Sequence, residues 1–254
     1  MDYIALGKSN LLVSRTAFGA SSLSKIDDAA DVEHLVSMSY ESGVNLYNVS
    51  RAASESEVRL GKAIKPYRKD VFVATTTRAR SISDLKADLH ASLSSLNVDY
   101  IDLFQIERND TIPEKGGEDG IVDELIDLRR EGLINHFGIV TESMDVADRV
   151  VRSNSGWETL QYPFNMLCDS SVEKLTEQCA QKDIGFIAMR PLCGGILTNI
   201  PLAVGYLQQF ESVSAAWGAR SKEEMQQILY FATNPPVIDE QFIQEIEKAR
   251  AFFN

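Results

Sequence analysis

The feature that most limits how this chain can fold is a strict alternation. Eight short β-branched or apolar runs, Arg15–Ala20, Val44–Asn48, Val71–Thr76, Ile101–Ile106, His136–Val140, Thr159–Pro163, Gly185–Met189 and Ser212–Trp217, are each followed by a longer amphipathic run. The longer runs carry apolar residues at helical spacing: Asp27–Ser42, Ser54–Ile64, Ser83–Leu96, Asp119–Glu131, Ser143–Ser153, Ser171–Lys182, Ile200–Gln209 and Ser221–Ala232, with Asp239–Phe253 as one more helix at the end. Regular strand–helix alternation implies parallel strands joined by right-handed crossovers. Eight such units make either a closed barrel or a large open sheet. An open nucleotide-binding sheet favours GxGxxG after its first strand; here that strand ends in Phe18-Gly19-Ala20-Ser21. The pattern therefore predicts an α/β fold of the (β/α)8 barrel class. The residues before the first barrel strand read as a hairpin with its turn at Lys8-Ser9-Asn10, placed to close the bottom of the barrel.

Local chemistry supports the same division. Ser83 and Ser171 are expected to supply hydroxyl caps, and Ser221-Lys222-Glu223-Glu224 fits a capping box. Barrels of 254 residues are common as single domains, and 44% hydrophobic residues suffice for a full core, so residues 1–254 are expected to form one domain. The longest connection is predicted between the fourth run and its helix, around Lys115-Gly116-Gly117.

The charge balance narrows the partners. A formal net charge of −12 repels phosphate backbones and anionic headgroups, which argues against nucleic acid and membrane as partners. The opening Met1-Asp2-Tyr3-Ile4 has no basic region followed by an apolar run, so no secretory leader is expected. Cys168, Cys179 and Cys193 lack metal-ligand spacing and read as reduced thiols of a cytoplasmic protein, with no metal site.

A set of spaced motifs now resembles one family. Leu6-Gly7-Lys8 and Phe18-Gly19-Ala20, Ser42-Gly43-Val44-Asn45, Ser56-Glu57 with Leu60-Gly61, Asp99-Tyr100-Ile101-Asp102-Leu103, Met189-Arg190-Pro191-Leu192 and Gly218-Ala219-Arg220-Ser221 follow in the order found in aldo-keto reductases. The wording Tyr162-Pro163-Phe164-Asn165 is similar to the bacterial branch whose longer members carry a ferredoxin-like tail. The resemblance implies hydride transfer from NADPH, with an Asp/Tyr/Lys/His tetrad in which the tyrosine donates the proton. Matched residue by residue, the tetrad positions hold Asn48, Ala53, Thr76 and Glu107. None of the first three can do the ancestral work: alanine has no proton to give, and Thr76 has no charge with which to tune a phenol. Tyr47, beside Asn48, is directed to the opposite face by strand alternation.

The cofactor positions implied by the resemblance are mixed. Gln161 matches the residue supporting the nicotinamide, and Gly194, Gly218, Arg220 and Ser221 match the phosphate-binding end, where backbone N–H groups at a helix start favour an anion. Val140-Thr141 replaces the usual Ser-Asn pair, Ile228 stands where an Asn reads adenine, and Glu224 occupies a place often held by an arginine for the 2′-phosphate. NADP is thus an uncertain cofactor for this chain. The pocket is expected at the C-terminal ends of the strands, built from Asn48, Thr76, Arg78, Glu107, Gln161, Asn165 and Arg190. Glu107 with Arg78 or Arg190 would bind a zwitterion or an acid, or else form an internal ion pair. Cys193 is expected to fill space, since no histidine lies nearby to activate it. The leading expectation is a barrel binding a small molecule or a partner protein without reductase activity, as in the family's channel β subunits and the modulatory subunit of glutamate–cysteine ligase. The alternatives are an atypical NAD(P)H-dependent oxidoreductase with Glu107 as acid, and a cofactor-independent lyase or isomerase using Glu107.

Overall fold

The computed structural model describes residues 1–153 and 155–253. An antiparallel hairpin, β1 (Tyr3–Ala5) and β2 (Leu12–Ser14), precedes eight parallel strands: β3 (Thr16–Gly19), β4 (Leu46–Ser50), β5 (Phe72–Thr77), β6 (Ile101–Glu107), β7 (Ile134–Val140), β8 (Thr159–Pro163), β9 (Gly185–Met189) and β10 (Val213–Trp217). Each pairs with the next in sequence and β10 returns to β3, closing the (β/α)8 barrel. The helices are α1 (Ala29–Glu41), α2 (Ser54–Ile64), α3 (Ile82–Leu96), α4 (Ile121–Arg130), α5 (Met144–Arg152), α6 (Ser170–Gln181), α7 (Ile200–Leu207), α8 (Lys222–Thr233) and the additional α9 (Glu240–Phe253).

Two apolar layers hold this arrangement. Inside the barrel, Ala17, Leu46, Ala74, Leu103, Ile187 and Ala216 meet Leu6 and Val13 of the hairpin segment, which plugs the barrel at its base as expected. The plug fits because Gly7, at φ +53°, lets the chain lie against β9; a Cβ there would sit 2.1 Å from Gly185 N. Outside, the alternate strand residues Phe18, Tyr47, Val49, Val73, Phe104 and Ile106 pack against the helices. Tyr47 is fully buried there, with its hydroxyl 2.9 Å from Ser39 Oγ on α1. Trp217 is buried in the same layer.

The helix starts differ from the sequence expectation at two points. Ser81, rather than Ser83, caps α3 by accepting from Asp84 N. Asp169, rather than Ser171, caps α6 by accepting from Ser171 N. In each case an equally good acceptor lies two residues upstream, and the helix takes the earlier start because its first turn is then also hydrogen-bonded. Ser221 caps α8 as expected, but Glu224 reaches back to Arg220 N.

Candidate functional site

Strand alternation puts every second residue inside the barrel. Two residues above the apolar level of Leu46, Ala74 and Leu103 come Asn48, Thr76 and Gln105, so the barrel interior turns from apolar to polar toward the C-terminal ends of the strands. Asn48 Nδ2 donates to Gln161 Oε1 at 2.7 Å and to Gln105 Oε1 at 3.2 Å. This neutral amide cluster lies beneath a cavity of about 800 Å³ at the mouth of the barrel, within the size range of small-molecule sites.

The cavity brings together most of the residues singled out in the sequence. Asn48, Ala53, Thr76 and Glu107 share its wall, although they come from β4, the short turn before α2, β5 and β6. Arg78, Gln161 and Arg190 line it too, as do Gly194, Gly218 and Arg220 on the side where the β9 and β10 loops meet. Two residues fall elsewhere. Asn165 does not line the cavity: its Nδ2 donates to Arg190 O at 3.1 Å and its Oδ1 accepts from Leu167 N, so the amide braces a turn. Ser221 is committed to capping α8.

Among the described residues lining the cavity there is no tyrosine and no histidine, and the one lysine is Lys25. Tyr162 on β8 lies close by in sequence but turns outward, donating to Glu142 O at 3.4 Å; burial pushes its phenol up from the ordinary value. Burial likewise raises the Cys168 thiol, the opposite of what a nucleophile needs.

Two ion pairs stand at the rim. Arg78 Nε donates to Glu107 Oε2 at 2.9 Å, and that bond holds the guanidinium above its usual value. Arg190 meets Glu142 in a forked pair, Nη1 to Oε2 at 3.0 Å and Nη2 to Oε1. The expected internal ion pair of Glu107 is thus made with Arg78, while Arg190 takes Glu142, which the sequence reading passed over. Pairs as open as these contribute about 0–1 kcal/mol to stability, so their geometry matters more for the site than for the fold. Lys25 and Arg220 line the cavity without a carboxylate partner among the described residues. Arg220 Nη2 donates to Gly194 O at 3.3 Å. Glu142, two residues past β7, could have been found by taking the first residues beyond each strand, where barrel sites reside.

The aldo/keto reductase family pattern matches residues 16–227. The chain belongs to the aldo/keto reductase family. It is similar to an L-galactose dehydrogenase of Arabidopsis thaliana, 32% identical over 220 residues that cover 77% of this chain and 66% of the relative. An aldo-keto reductase of Bacillus subtilis is 25% identical over 218 residues, covering 78% of this chain and 64% of the relative. The chain thus spans about two thirds of the length of these curated relatives. A solved aldo-keto reductase from Bacillus halodurans superposes with a TM-score of 0.83 at 21% identity, covering 98% of this chain and 96% of that one, which supports the barrel itself. Among the described residues no group of potential metal ligands converges, and no helix is long and apolar enough to cross a membrane.

Proposed function

We propose that this family member binds a small molecule in the mouth of its barrel and does not reduce carbonyls by the family's proton-donating chemistry. One observation carries the reading: the cavity wall holds Ala53 and Thr76, which the family resemblance sets at the tyrosine and lysine positions of the tetrad, and among the described residues no tyrosine lines the cavity. General acid assistance is worth roughly 10²–10⁴ in rate, and among the described lining residues there is neither a tyrosine nor a histidine to supply it. Glu107 is a poor substitute, because its Oε2 already accepts from Arg78. Asn48 is tied to Gln161 and Gln105 and serves as a hydrogen-bonding floor.

The family's cofactor, NADP(H), fits these residues badly. Thr141 is fully buried and its hydroxyl faces Asn109 Oδ1 at 3.1 Å, leaving no hydroxyl–amide pair for a carboxamide. Ile228 is buried in the apolar layer. Glu224 sets a carboxylate in the cavity wall where the family resemblance calls for a cation. Lys25 and Arg220 still favour an anion at that end, so the misfit concerns the dinucleotide as a whole. Fluorescence titration with NADPH and NADH tests this directly: the reading expects no saturable binding at micromolar cofactor, and tight binding of either would overturn it.

A cofactor-independent lyase or isomerase is the second reading. Its support is that Glu107 lines the cavity with Oε2 bonded to Arg78 and no bond recorded on Oε1 among the described residues. Under it, Glu107→Gln abolishes turnover of a bound ligand while leaving its binding largely intact.

A further inference from the structure

Of the three arginines that line the mouth, Arg78 and Arg190 are each held by a carboxylate, and the manner in which Arg190 is held specifies a ligand. Arg190, one residue past β9, sits at φ +56°, a left-handed backbone that side-chain-bearing residues rarely adopt. Asn165 fixes that turn by donating to the Arg190 carbonyl. The braced turn delivers the guanidinium fork to the cavity, where both of its terminal nitrogens engage the two oxygens of Glu142, just beyond β7. This forked pairing is the match a free carboxylate would also make. The Arg190 and Glu142 side chains remain 55% and 43% exposed, so the pair is accessible and exchangeable. Arg78 and Glu107 stand alongside as a second pair, so this part of the rim is locally neutral, while Lys25 and Arg220 line the same cavity on the side where the β9 and β10 loops meet.

We propose that the Arg190–Glu142 clasp recognises a zwitterion. A small molecule carrying a carboxylate and a protonated amine, an amino acid or a close analogue, enters between the two side chains. Its carboxylate takes the place of Glu142 on Arg190, and its ammonium takes the place of Arg190 on Glu142. One internal pair is exchanged for two pairs with the ligand, and the net charge of the rim is unchanged. A simple carboxylate lacks this balance: it displaces Glu142 and leaves two negative groups side by side. A simple amine leaves two positive ones. Below the rim, Asn48, Gln161 and Thr76 form a neutral hydrogen-bonding floor, which accommodates a short polar side chain without demanding a further charge. The inference rests on the reading of the barrel as a small-molecule binder.

Calorimetric titration with the common L-amino acids, set against propionate, 3-hydroxypropionate and glutarate as amine-free counterparts of alanine, serine and glutamate, tests it. At least one amino acid is expected to bind, and its amine-free counterpart to bind at least about tenfold more weakly. Glu142→Gln is expected to invert that preference, weakening the amino acid about tenfold and strengthening the simple carboxylate. Arg190→Lys, which keeps the charge and loses the fork, is expected to weaken the amino acid with little change in melting temperature. Equal binding of amino acids and amine-free acids, amino-acid binding indifferent to both substitutions, or no amino-acid binding at all overturns the clasp. If uncharged or singly charged compounds bind in the cavity while amino acids do not, the clasp fails and the small-molecule reading stands. NADPH-dependent turnover removes the reading beneath it.

Discussion

Asn48, on β4, donates to Gln161 Oε1 on β8 at 2.7 Å, spanning the interior of the barrel. The same nitrogen also serves Gln105, which is fully buried. Removing that donor leaves the Gln105 amide oxygen without a partner in the barrel interior, and leaves that of Gln161 to the cavity. Asn48→Ala should therefore lower stability by about 2 kcal/mol, the usual cost of orphaning buried polar groups. Urea denaturation followed by circular dichroism reads the change; a loss below about 0.5 kcal/mol would show that the amide cluster is not holding the floor.

Glu57 makes a similar test outside the barrel. Its carboxylate is fully buried on α2, paired with Arg51 and accepting from Thr75 Oγ1 at 2.8 Å and Ser92 Oγ at 2.7 Å, so it ties α2 to β5 and α3. Glu57→Ala leaves the guanidinium and both hydroxyls without their acceptor, and about 3 kcal/mol should be lost in the same denaturation measurement.

Much of this was legible in the sequence, for identifiable reasons. β8 and β9 and helix α2 begin and end where their residue patterns said they would, because each is bounded by a change of period. On α2 the buried positions Glu57, Leu60, Gly61 and Ile64 fall at helical spacing, which one segment of chain can display by itself. The partner of Arg190 was not legible in that way. Glu142 lies 48 residues earlier, and which acid meets which arginine depends on how β7 and β9 are spaced around the closed barrel. Asn165 was misplaced for a related reason: its neighbours in sequence point to the site, but its amide is used by Arg190 and Leu167.

Gly61 reports on the packing of α2 against α3. A Cβ at that position would lie 2.3 Å from Leu96 O, a backbone atom that cannot step aside without moving the end of α3. Gly61→Ala should destabilise the protein by about 1–3 kcal/mol, although alanine is the better helix former. Thermal melting of the variant checks it, and an unchanged or raised melting temperature would show that the helices are not in such close approach.

Cys179 gives a pH-dependent prediction. Burial pushes its thiol up from the ordinary 9.0 to about 12. The folded value lies above the unfolded one, so the stability it contributes is complete below pH 9.0 and is lost as pH rises from there toward 12. Between those values, ionisation of Cys179 favours the unfolded chain. Alkylation with iodoacetamide at about pH 9 should modify the partly exposed Cys193 before Cys179. Replacement by serine, which does not ionise in this range, should flatten the alkaline side of the stability curve, whereas an unchanged slope would assign that side to other groups.

With Ala53 and Thr76 in its cavity wall and no tyrosine among the described lining residues, this family member is proposed to lack the family's proton donor for carbonyl reduction. The most direct measurement is NADPH oxidation by the purified protein in the presence of simple aliphatic and aromatic aldehydes, followed at 340 nm as a standard absorbance assay. The account predicts a rate indistinguishable from that of cofactor and aldehyde alone. Saturable turnover of about 1 s⁻¹ or more, at the slow end of ordinary enzymes, would contradict it.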